Sequence, residues 1–251
     1  EFFSKRVGVF GLGYILQDKS TTMNHSSKYL ILRDLELFKA IDDIQIEQLC
    51  NQSTFQKIKK GAFLYSVEDP INYVYLIHKG SFKIGMHTGQ DKILIKEISY
   101  KNEMVGENIF AGHHKRREFA QALEPCEYFR IPSSYFKALL EKNPHLCQQL
   151  TQILIHKMAK LEERMNNFVF KKAQSRITDF LMTLAKTKGI KIGLDEILIN
   201  HGLSHKEIAY ITDTSRQTVA RVLGELKRNN VIHFSTRKPN KILIRNSLSL
   251  S

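Results

Sequence analysis

The chain has 251 residues, 42% of them hydrophobic, with a formal net charge of +13; that length suggests about two domains, each able to bury its own core, and no apolar run approaches the roughly 20 residues needed to cross a bilayer. A basic excess of this size favours a polyanionic partner, nucleic acid ahead of a membrane surface. Its three cysteines, Cys50, Cys126 and Cys147, include no Cys-x-x-Cys pair, which argues for a reducing cytoplasm, for buried thiols, and against structural zinc or a four-cysteine iron–sulfur site.

Residues 1–27 read as an extension outside any core. The stretch VGVFGLGY within it has closely spaced glycines but lacks the strand, helix and later acidic residue of a dinucleotide fingerprint. Over residues 28–52 the apolar positions Leu32, Leu35, Phe38, Ile41, Ile46 and Leu49 follow helical spacing. From Ser53 the period drops to two: Phe55, Phe63, Tyr65, Val74, Leu76, Phe82, Ile84, Ile93 and Ile95. Turn residues such as Lys60-Gly61, Lys79-Gly80 and Lys101-Asn102 separate the runs. Short strands so punctuated make a small antiparallel roll, and with its flanking helices it spans 28–143. Pro144 suits the first turn of a long helix. On it Cys147, Leu150, Leu154, Met158, Leu161, Met165 and Phe168 recur at steps of three and four, a seam for pairing two copies. The opposite face (Lys157, Lys160, Glu162, Glu163, Arg164) is charged. A break at Asn166-Asn167 ends this segment, 144–169.

Residues 170–251 predict a helix over 172–188, a strand over Ile192–Ile199, helices over Lys206–Thr212 and Arg216–Arg228, and a closing strand pair, Val231–Phe234 and Lys241–Arg245. Ser204 with Glu207, and Thr214 with Gln217, read as two capping boxes about a short turn at Thr212-Asp213-Thr214. Ile208, Ala209 and Ile211 would face Val219, Val222 and Leu223, with Ala209 permitting a close crossing. This is the pattern of a helix-turn-helix, with Asp213 tolerating the positive φ that glycine often supplies. The second helix presents Ser215, Arg216, Gln217, Thr218 and Arg221 for a major groove. Lys227, Arg228, Arg237 and Lys238 would reach phosphates.

In SRQTVARVL (Ser215–Leu223), YVYLIHKGSFKI (Tyr73–Ile84) and VGENIF (Val105–Phe110) the chain resembles the Crp/Fnr family of bacterial transcription regulators, over roughly residues 30–246. The resemblance implies an α+β fold: an N-terminal antiparallel β-roll of cyclic-nucleotide-binding type, a long central dimerisation helix, and a C-terminal winged helix-turn-helix. It implies a cytoplasmic homodimer on a palindromic double-stranded DNA site, with RNA polymerase as a further partner and no membrane. Arg216, Gln217 and Arg221 take the base-reading positions. Where the cAMP-binding member has Glu, Gln217 stands, so the half-site should differ.

In relatives that bind cyclic nucleotides, a Gly-Glu pair meets the ribose and an Arg followed by Ser or Thr holds the phosphate. Gly106 and Glu107 match the pair, and Arg116 falls on the phosphate position. Arg117 replaces the hydroxyl, and Leu161 and Glu162 stand where Thr and Ser meet adenine. These departures argue against cAMP and leave the effector and any cofactor unidentified; an anion at Arg116 and Arg117 stays open. His113 and His114 read as surface loop residues, so no metal is assigned. A sensor acting through protein contacts alone is the alternative function. No nucleophile–base pairing, zinc helix or P-loop marks an enzyme.

Overall fold

A computed structural model describes residues 23–87, 93–234 and 241–245. The extension up to residue 22 and Arg237 and Lys238 lie outside these. The first helix, α1 (His25–Asp34), begins inside the span assigned to the extension. Asn24 caps it by accepting from the Ser27 N–H, and Met23 packs against the core beneath. A 3-10 turn (Glu36–Phe38) and α2 (Asp43–Gln52) follow.

Eight strands then form the roll: β1 (Thr54–Ile58), β2 (Phe63–Tyr65), β3 (Tyr73–Lys79), β4 (Phe82–His87), β5 (Ile93–Ser99), β6 (Met104–Val105), β7 (Phe119–Ala122) and β8 (Cys126–Pro132). They pair antiparallel in two sheets, ordered β1-β8-β3-β6 and β2-β7-β4-β5. Period-two alternation explains how one sheet serves two cores. Val74, Leu76, Phe129 and Ile131 face the helices, while Tyr75, Ile77, Cys126 and Tyr128 face the opposing sheet. Cys50 and Cys126 are buried as expected; Cys147 is exposed, because its position on the next long helix faces away from the roll.

After α3 (Ser133–Glu141), the central helix α4 runs unbroken over Pro144–Phe170. The predicted break at Asn166-Asn167 is absent: asparagine costs well under about 1 kcal/mol in a helix interior, and the chain turns only at Lys171. The predicted seam divides. Leu150 is buried in its own chain's roll core with Leu146, and Leu154 packs against that core. Met158, Leu161, Met165 and Phe168 are exposed, as is Ile155.

The C-terminal part comprises α5 (Ala173–Lys188), β9 (Gly189–Lys191), β10 (Glu196–Asn200), α6 (His205–Ile211), α7 (Arg216–Arg228), β11 (Ile232–Phe234) and β12 (Lys241–Arg245). The single strand predicted over Ile192–Ile199 is instead a hairpin, β9 paired with β10, turning through Gly193 to Asp195. Its residues Ile190, Ile192 and Leu194 are exposed, and Gly193 to Asp195 make the turn within the span predicted as one strand. The sheet order is β11-β12-β10-β9. Ile177, Leu181, Ile208, Val219, Val222 and Ile244 form the core, which Leu123 of the roll also enters.

His201 is buried in this unit. Its Nδ1 accepts from the Leu203 N–H at 3.1 Å, and its Nε2 has no protein partner. Burial pushes its pKa down to about 4, with His205 adding to the effect. The folded chain therefore binds fewer protons here than the unfolded chain, and this contribution to stability is lost as pH falls from about 6.5 towards 4. A shift of this size corresponds to about 3 kcal/mol when fully expressed. Urea unfolding followed from pH 7 to pH 4.5 should show a steeper loss of stability in the wild type than in His201→Gln.

Candidate DNA interface and effector cradle

The helix-turn-helix is set by local chemistry. Ser204 accepts from the Glu207 N–H, and the Glu207 carboxylate accepts from the Ser204 N–H at 2.8 Å, completing the predicted capping box. The second box, Thr214 with Gln217, does not form: Ser215, not Thr214, is the N-cap of α7 and accepts from the Thr218 N–H at 3.0 Å, and the third helical residue is Thr218, whose hydroxyl meets that of Ser215 and not its N–H. That register leaves Arg216 as the first helical residue. Asp213 has φ +51°, the left-handed turn anticipated from its side chain. Ala209 is buried against α7, as the close crossing requires.

One face of α7 is buried through Val219, Val222, Leu223 and Leu226; the other presents Ser215, Arg216, Gln217 and Arg221 to solvent. Thr218 is half-buried, and its hydroxyl lies 2.9 Å from that of Ser215. Arg221 is held at 2.8 Å by Glu225 one turn on, an exposed pair that yields at little cost. Lys227 is exposed in the last turn.

The cradle differs from the expected arrangement in one decisive respect. Arg116 is only 1% exposed and points into the roll. Its guanidinium donates to the Gly106 carbonyl at 3.2 Å and to the Tyr73 carbonyl at 2.5 Å, and lies 4.2 Å from the centre of the Tyr65 ring. Arg117 is exposed, so the two arginines do not converge. Gly106, at φ +94°, is needed twice over: a Cβ there would meet both terminal nitrogens of Arg116 at 3.0–3.1 Å.

Glu107 is occupied too. The ammonium of Lys157, from α4, donates to a Glu107 carboxylate oxygen, to Glu97 at 3.0 Å and to the Met104 carbonyl at 3.3 Å. A lysine has three N–H groups, and here each finds an acceptor. Burial opposes the Lys157 charge, but Glu107 and Glu97 overcome it and hold the pKa above the ordinary lysine value. Burial pushes the Glu97 carboxyl up, against the pull of Lys157. Deeper in, Glu118 accepts from Tyr65 at 3.2 Å and pairs with Lys96 at 3.1 Å. Leu161 and Glu162, which the resemblance places on the adenine positions, are exposed, and so are His113 and His114. Among the described residues no group of three potential ligands could hold a metal.

Sequence reasoning missed Lys157, Glu97 and Arg164. A signal was present: Leu146, Leu150, Ile153, Lys157 and Arg164 form a stripe at steps of three, four and seven. Its first members enter the core and its last two pass over the roll, so what looked like a solvated charged face is partly an internal one.

The comparisons with known proteins agree with this geometry. Residues 55–143 match the family model of the cyclic nucleotide-binding domain, and residues 175–250 that of the Crp-like helix-turn-helix domain. The chain belongs to the Crp/Fnr family of transcription regulators. It is 26% identical to the global nitrogen regulator of Synechococcus elongatus, over 91% of this chain and 97% of that protein. Identity to the cAMP-activated global transcriptional regulator CRP of Salmonella typhimurium is 25%, over 78% and 93%. The c-di-GMP responsive global regulator CLP of Xanthomonas campestris shares the fold, with a TM-score of 0.70 at 19% identity over 81% and 99%. This Crp/Fnr regulator is therefore a DNA-binding transcription factor with a cyclic-nucleotide-binding-like sensor domain, and not an enzyme. Among its described residues no helix is long and apolar enough to cross a membrane.

Removing Lys157 would leave two carboxylates facing each other in a mostly buried site. Lys157→Ala should lower stability by about 3 kcal/mol in urea unfolding at pH 7, and Lys157→Met with Glu107→Gln should recover part of that loss.

Proposed function

We propose that this regulator acts as a homodimer on a palindromic DNA site, and that its roll does not use cAMP. The observation that carries the DNA reading is α7, with its buried apolar face and its free face bearing Arg216, Gln217 and Arg221. Arg forks to guanine O6 and N7, and Gln pairs with adenine N6 and N7. The exposed row Met158, Leu161, Met165 and Phe168 supports pairing along the outer half of α4; RNA polymerase remains a further partner on the family's pattern. The occupied cradle supports the effector reading. An incoming cyclic phosphate would have to draw Arg116 from beneath Tyr65, and a ribose would compete with Lys157 for Glu107. Relatives of this fold are described as responding to cAMP or to c-di-GMP, so the roll alone does not fix the ligand.

A palindromic duplex selected by the protein from random DNA provides the test. Arg221→Ala should weaken its binding by about 1–3 kcal/mol. If about six phosphates are neutralised, log K should fall against log[salt] with a slope near −5. A flat salt dependence, or an unchanged affinity in Arg221→Ala, contradicts the reading and favours a sensor acting through protein contacts.

A further inference from the structure

We infer that Arg164 is a positioning residue for DNA recognition: it clasps the turn of the helix-turn-helix and fixes the recognition helix to the central helix and the roll. This rests on the DNA-reading role proposed for α7.

Arg164 lies near the end of α4, seven residues beyond Lys157 and therefore on the same face. Its planar fork is fully committed. Nε donates to one Asp213 carboxylate oxygen at 3.0 Å, and one terminal nitrogen donates to the other at 2.7 Å and to the Tyr210 carbonyl at 3.1 Å. The second terminal nitrogen donates to the carbonyls of Ile95 and of Lys96, the latter at 3.0 Å. One guanidinium thus joins three parts of the molecule: β5 of the roll, the central helix, and the turn between α6 and α7.

The position of the contact matters. Asp213 is the left-handed residue of the turn, and Ser215, two residues on, caps α7. Its backbone is held as well: Arg176 of α5 donates to the Thr212 and Asp213 carbonyls, both at 2.9 Å. A bidentate carboxylate contact fixes orientation as well as distance. The direction in which α7 leaves the turn is thereby tied to α4, and not to the winged-helix core alone. Lys83 of β4 pairs with Glu207 of α6 at 2.5 Å, which keeps the same unit against the roll. The cradle is close in the chain of contacts. Lys157 bonds Glu97 on β5, and Arg164 bonds the two preceding residues of that strand. A shift of β5 or of α4 would act on the turn through Arg164, whatever effector produced it.

The measurement is a double-mutant cycle on DNA binding, since contiguity alone does not establish coupling. Arg164→Ala, Asp213→Asn and the double variant are titrated against the selected palindrome and against a scrambled duplex, with Arg221→Ala alongside and thermal melts as a control for folding. The expected result is a 10- to 100-fold loss of palindrome affinity in Arg164→Ala, with scrambled-duplex affinity changed less than about threefold, and a double variant no worse than Arg164→Ala. Arg164→Lys keeps the charge but not the fork; it should also lose at least about tenfold, and it replaces Arg164→Ala if that variant melts below the assay temperature. Additive losses, or equal losses on both duplexes, overturn the inference. So does unchanged palindrome affinity in Arg164→Ala while Arg221→Ala is weakened. If Arg221→Ala is unchanged too, the DNA reading itself fails and the clasp falls with it.

Discussion

The Lys157 ammonium between Glu97 and Glu107 is the interaction on which the sensor half depends. A lysine with all three N–H groups satisfied, and with only 17% of its side chain exposed, is held in place because without it two largely buried carboxylates would lose their compensating charge. It draws the outer half of α4 down onto β5 and β6. Glu97 and Glu107 share Lys157, and Glu118 pairs with Lys96, while Arg116 meets the Gly106 and Tyr73 carbonyls and the Tyr65 ring and leaves its buried Nε without a partner. We read this as the chain's own side chains standing where a charged effector would bind.

The same economy organises the DNA-binding half. The helix-turn-helix is defined by a capping box, one N-cap serine and one left-handed aspartate, all local features. Its placement is not local. Leu123 of the roll enters its core, and Lys83, Arg164 and Arg176 hold its first helix and its turn. The roll therefore serves as a platform for the winged helix as well as a sensor domain.

The division between local and tertiary determination also explains what the sequence disclosed. The α7 boundaries and the positive φ at Asp213 follow from caps and side-chain chemistry within a few residues, and they were legible. Thr214 and Ser215 stand in tandem, each able to cap, and no local rule chooses between them. The hairpin at Gly193 was hidden because Ile190, Ile192 and Leu194 look like core and are exposed. Arg116 shows the limit most clearly. Its position on the chain was readable, but its direction was not, because the Tyr65 ring and the Gly106 and Tyr73 carbonyls that receive it come from distant segments. The role of Leu150 was misjudged for a similar reason. A row of apolar residues on a long helix looks the same whether it meets a second copy or the helix's own domain.

A cradle filled from within should be indifferent to cAMP. The most direct measurement is fluorescence anisotropy of the selected palindromic duplex, titrated with the protein at fixed salt with and without cAMP. The two binding curves should superimpose. Tightening by tenfold or more with cAMP would contradict this, because Arg116 and Lys157 would then have to leave their present partners to receive the nucleotide.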